Sequence, residues 1–146
     1  MKSITKVFAA FLAVFACLFI SCGAKTYSAE ELRQFGDELK GDWLITISEN
    51  MNGDINTDSG EISVEDAAGI DDFISDLAAV QKNVEKQFVN DEFESSAKAA
   101  GGTYKVNGVN AYTYKPGVIG LNVSVEVSIA GDAWTANISY LAVKKN

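Results

Sequence analysis

The chain has 146 residues, with 12 basic and 20 acidic side chains, no histidine and two cysteines. The acid excess argues against nucleic acid as a partner, because that binding is driven by neutralising phosphates. The lack of histidine removes the commonest general base and transition-metal ligand, and two cysteines alone fall short of a four-ligand metal site.

Lys2 and Lys6 precede Val7–Ile20, fourteen positions without a charged or strongly polar residue. A membrane-crossing helix needs about 20 apolar residues, whereas the apolar core of a secretory signal spans about 7–15. The run therefore reads as a signal peptide. Phe19-Ile20-Ser21-Cys22 resembles the lipobox of bacterial lipoproteins, with small Ser21 directly before the cysteine and Phe19 where Leu is usual. The resemblance covers residues 1–22 only. It implies cleavage after Ser21, a thioether diacylglycerol and an N-acyl chain such as palmitate on Cys22, and loss of Cys17 with the signal. Two other readings stay open: an ordinary signal peptide cleaved nearby, and a lipobox ending at Cys17 after Phe15-Ala16.

The expected division is signal peptide 1–21, lipidated cysteine and short tether 22–27, and one domain 28–146. Two or more acyl chains anchor a protein stably. Gly23 to Tyr27 reaches about 17 Å when extended, so the domain is expected close to the membrane of a cell envelope. Gly23, rather than an aspartate, follows Cys22, which favours the outer membrane or cell surface over the inner membrane. Without Lys2 and Lys6, ten bases face twenty acids, a net charge of −10. From Glu49 to Glu94 there are 13 acids and only two bases, Lys82 and Lys86.

Ser28-Ala29-Glu30-Glu31 has the form of a capping box, and Leu32, Phe35 and Leu39 follow at helical spacing. The pattern predicts a helix over 29–40, ended by Gly41. Trp43, Ile45 and Ile47 then alternate with polar residues, as in a strand with one apolar face. Gly41-Asp42-Trp43 is similar to the G-x-W element that opens lipocalin barrels, although the helical middle argues against an eight-stranded barrel. Residues 50–61, NMNGDINTDSGE, read as a polar loop, with Ile62 and Val64 in a short returning strand.

From Asp66 the period becomes helical. Ile70, Phe73, Leu77, Val80, Val84 and Phe88 form one stripe, the mark of an amphipathic helix facing a core. Asp91 to Ala100 continues as a second helical piece that ends at Gly101-Gly102. Four strands are predicted after it, at 103–107, 109–114, 119–129 and 134–142. The last two have strict alternation, and a turn at Gly131-Asp132 sets Ile129 opposite Trp134 and Val125 opposite Ile138. The fold class is therefore α+β: an antiparallel sheet with a C-terminal four-strand meander, one face covered by helices.

Three groups of residues are candidates for function. Asp54, Asn56 and Asp58 stand at positions 1, 3 and 5, and Glu65 at position 12, of a stretch that resembles an EF-hand calcium loop. Such a loop gathers six to eight oxygens around the ion, though Ser59 occupies the position that takes glycine. The other reading is a plain polar turn. Asn122, Glu126 and Asn137 lie on the polar face of the last hairpin and form a surface for a partner. Tyr104, Tyr112, Tyr114, Trp134 and Tyr140 give the sheet enough aromatic character to line a ligand cavity. No phosphate-cradling loop, nucleophile elbow or dinucleotide fingerprint occurs, and no carboxylate pair is singled out for acid–base work. The expectation is a non-catalytic binding or interaction module with no cofactor, calcium being the one candidate. It would touch the membrane through its lipid anchor and bind another protein or a small apolar ligand.

Overall fold

A computed structural model describes residues 25–145. The expected signal peptide and Cys22 lie outside the described residues. Seven strands form one antiparallel sheet in the order β1-β5-β6-β7-β2-β3, with β4 also paired to β6. Two α-helices, α1 (Ala67–Phe88) and α2 (Asp91–Ala99), carry the chain from β3 on one edge to β4 on the other. The α+β class therefore stands.

The chain enters through β1 (Thr26–Tyr27) and a 3-10 helix, Glu30–Leu39. The capping box forms: the Ser28 amide donates to Glu31 Oε1 at 2.9 Å, and the Glu31 amide donates to Ser28 Oγ at 3.2 Å. The expected α-helix is not formed, because Gly36 (φ 49°, ψ −118°) breaks the segment. The break lets Leu32 and Leu39 both reach the core, while Phe35 stacks on Tyr114 with ring centroids 3.7 Å apart.

β2 (Gly41–Met51) and β3 (Asp54–Val64) pair without interruption from Gly41–Val64 to Met51–Asp54. Residues 54–61 are thus strand, not the expected loop. The turn is only Asn52-Gly53, both residues at positive φ (54° and 94°), the primed turn that matches strand twist. Asn50 Oδ1 accepts the Gly53 amide at 2.8 Å. An Asn-Gly turn between alternating residues is a strong hairpin signal, and here it outweighs the turn-like composition of Asn56 to Gly60.

Asp66 caps α1 by accepting the Gly69 amide at 2.8 Å. The predicted stripe is buried at Ile70, Phe73, Leu77, Val84 and Phe88, with Val80 partly covered. It packs on the inward residues of the sheet, among them Trp43, Val123, Ile138 and Tyr140. Tyr112 spans the two layers, its hydroxyl donating to Leu77 O at 2.7 Å. Gln81 ties three segments: its side chain accepts the Ala29 amide and donates to Asn110 O, and its carbonyl accepts from Asn110 Nδ2. The first and last strands of the described residues both lie in the sheet, and the core they share is drawn from residues 29–142.

The C-terminal half departs from a four-strand meander. β4 (Thr103–Asn107) and β5 (Tyr112–Lys115) both pair with β6 (Val118–Ile129) on the same side. Asn107 faces Ser124 and Thr113 faces Gly120, so five residues of one strand oppose three of the other. β4 and β5 are one strand with a bulged interruption, not two strands folded back on each other. Gly108 (φ 90°) belongs to that interruption, and a Cβ there would stand 2.6 Å from Asn122 O.

β6 and β7 (Asp132–Lys144) form the predicted hairpin, with its register moved by two residues. Val127 faces Trp134, Val125 faces Ala136 and Val123 faces Ile138. The turn is Ala130-Gly131, both at positive φ (55° and 86°). A two-residue shift keeps every side chain on its face, so the alternation that forbids a one-residue slip does not distinguish the two registers.

Candidate functional site

The sheet is longer than the helix laid on it. α1 ends at Phe88, Val89 leaves helical geometry (φ −116°, ψ 50°), and α2 starts at Asp91 against β4. β2, β6 and β7 continue beyond that point. The result is an apolar groove of about 430 Å³ at the far end of the helix-covered face.

Its floor comes from Val125 of β6, Trp134 of β7 and Met51, the last residue of β2. Its walls are Phe88 and Gln87 of α1, Phe93 of α2 and Tyr104 of β4. Trp134, Phe93 and Met51 are 37%, 37% and 41% exposed, whereas Trp43 at the other end of the core is fully buried. The groove thus holds most of the large apolar surface that this face leaves in water. Rings of Phe93 and Tyr104 lie 5.9 Å apart and tilted by 40°, a normal aromatic contact geometry. The Tyr104 hydroxyl donates to Phe88 O at 2.6 Å, and burial raises its pKa. Lys86 reaches the rim; among the described residues its ammonium takes no hydrogen bond and no ion pair.

Of the aromatic residues expected around a cavity, Tyr104 and Trp134 line the groove. Tyr112 and Tyr140 are core residues meeting edge to face at 5.6 Å. Tyr114 stacks on Phe35 and donates to Glu38 Oε2 at 3.1 Å. Burial and the Glu38 carboxylate push the Tyr114 phenol up to about 12.

The calcium-loop spacing does not produce a loop. Asp54, Asn56 and Asp58 sit two residues apart along one face of β3, beside Met51, Glu49 and Ile47 of β2. Asp54 and Glu65 bracket a strand about 36 Å long. These four side chains cannot converge on one ion, and the reading is corrected to a solvated edge strand. Among the described residues no group of three or more acids, histidines or cysteines is placed to hold a metal.

Asn122 and Asn137 do meet, through a hydrogen bond of 2.7 Å from Asn137 Nδ2 to Asn122 Oδ1. Ser139 Oγ joins both at 3.3 and 3.1 Å. Their polar groups are thereby largely used within the sheet. Glu126 is on the same face, in register between Lys105 and Thr135, and is four residues along β6 from Asn122. Three residues on this face are buried although polar: Thr46, Ser48 and Ser139. Leu141 of the same face is buried as well.

Met51, Phe88, Phe93 and Lys86 were not among the expected site residues. Met51 carried a signal, since it precedes the Asn-Gly turn on the same face as Trp43. Phe93 carried none, because its position depends on where α1 stops. No protein family, no curated protein and no solved structure matches this chain.

Proposed function

We propose that this chain is a lipid-anchored protein of a bacterial cell envelope whose domain is a non-catalytic binding module, and that the groove beyond α1 holds a small apolar ligand. Ser21-Cys22 after a short apolar run supports the anchor. The observation that carries the binding role is the groove itself, where Trp134, Phe93 and Met51 are left partly in water at the end of a packed core. Exposed apolar surface rimmed by polar groups marks interaction sites, and about 430 Å³ falls within the range of small-ligand pockets. An interaction with another protein at the Asn122–Asn137 face has less support, because those side chains bond to one another.

The test uses the chain from residue 22 with Cys22→Ser, which keeps the whole core and removes the acyl chains. Nile red, a neutral apolar dye, is titrated against it. Saturable fluorescence enhancement is expected, and Trp134→Ser with Phe93→Ser abolishes it while the circular dichroism spectrum stays unchanged. No enhancement, or enhancement unaltered in that folded variant, contradicts the groove as the binding site.

A further inference from the structure

We infer, resting on the groove reading above, that the ligand is a free single-chain anionic amphiphile, with its chain on Trp134 and Phe93 and its head on the Lys86 ammonium. The groove lining contains one cation and no acid, in a chain where acids outnumber bases by 20 to 12. That asymmetry is local. Lys82 and Lys86 are the only bases between Glu49 and Glu94, and they stand one turn apart at the end of α1 that borders the groove.

Lys86 is also unused by the protein. Arg33, Lys40, Lys98 and Lys145 each pair with a carboxylate, whereas Lys86 pairs with none among the described residues. Glu85 and Asp91 line a polar recess that Lys86 and Lys82 also border. A lysine stem can lie along apolar surface with its charge at the edge, the geometry an amphiphile's head requires. Within the lining a cationic ligand would meet like charge, and a neutral one would leave the ammonium unused. Asp54, in register with Met51, is on the same face but outside the lining.

The position of the groove favours a free ligand over a bilayer lipid. β1 pairs with β5, and β5 with the Gly120 end of β6. Val127, opposite Trp134, is seven residues further, or about 23 Å along the strand. A chain tethered just before β1 thus carries its groove at the end remote from the anchor.

The experiment measures dodecanoate, dodecanol and dodecyltrimethylammonium by isothermal titration against the Cys22→Ser chain, below their micelle concentrations. Dodecanoate is expected to bind about threefold to tenfold more tightly than dodecanol, dodecyltrimethylammonium more weakly than both. Lys86→Gln is expected to remove the preference, so that dodecanoate binds that variant no more tightly than dodecanol does. Equal binding of all three overturns the anionic assignment and leaves the groove reading standing. A dodecanoate preference that survives Lys86→Gln overturns the role of Lys86. Binding of none of them defeats both readings. Co-sedimentation of the same chain with phosphatidylglycerol vesicles, lost in Lys86→Gln, would overturn the free ligand in favour of the bilayer.

Discussion

The phenol of Tyr104 donates to the carbonyl of Phe88 at 2.6 Å, the last residue of α1. The final carbonyls of a helix have no partner within it, so a sheet side chain completes this helix end. The same bond holds a groove wall, since both residues line it. Tyr104→Phe is expected to lower stability by about 1 kcal/mol and to weaken Nile red binding by loosening the end of α1. Urea denaturation and dye titration of the same variant check both; unchanged stability would show that water serves Phe88 O equally well.

Two further tyrosines make a controlled comparison. Tyr112 donates to Leu77 O at 2.7 Å, whereas the buried Tyr140 hydroxyl has no partner among the described residues. Tyr112→Phe removes a made bond and should cost about 1 kcal/mol. Tyr140→Phe removes an unsatisfied group and should be neutral or stabilising. Denaturation midpoints should therefore move in different directions or by clearly different amounts.

Ala130 occupies the first central position of the β6–β7 turn at φ 55°. An L-residue with a Cβ pays about 1–2 kcal/mol in left-handed geometry, and asparagine tolerates it better. Ala130→Asn is expected to raise stability by roughly 0.5–1 kcal/mol. A thermal melt checks it. A loss of stability would place the turn at Gly131-Asp132 instead.

Alkaline pH should unfold the domain. Burial raises the pKa of Tyr104, Tyr112, Tyr114 and Tyr140, with Glu38 adding to the effect at Tyr114 and Asp76 at Tyr140. A raised tyrosine holds its proton in the fold after the unfolded chain has released it. The stabilisation is complete below the ordinary phenol value of 10.0 and is lost as pH climbs through about 12 at Tyr114. Stability therefore falls above pH 10. Absorbance at 295 nm should show most phenolate appearing together with loss of near-ultraviolet circular dichroism, rather than before it.

Local signals were legible in the sequence. Ser28 and Glu31 announce their reciprocal cap, Asp66 its helix start, and the Ile70–Phe88 stripe its buried face. What pairs with what was less so. Asn56 to Gly60 have the composition of a turn, and only pairing with β2 makes them strand. The β6–β7 register was two residues off because both choices satisfy the same alternation. The bulge at 108–112 depends on β6 having three residues where its neighbour has five, a count visible only once β4 and β5 share that strand. The groove is the least legible feature. Trp134 and Tyr104 looked like sheet residues, and their exposure follows from α1 stopping before the sheet does.

The two tryptophans allow the central claim to be tested in one spectrum. Trp43 is fully buried with its indole N–H on Leu39 O at 2.8 Å, whereas Trp134 is 37% exposed in the groove. Nitrogen-15 correlation spectra of the Cys22→Ser chain resolve both indole signals during titration with dodecanoate. A saturable shift of the Trp134 signal with the Trp43 signal unmoved is the predicted result. A Trp134 signal that stays in place while dodecanoate binds elsewhere, or is not bound, would contradict the account.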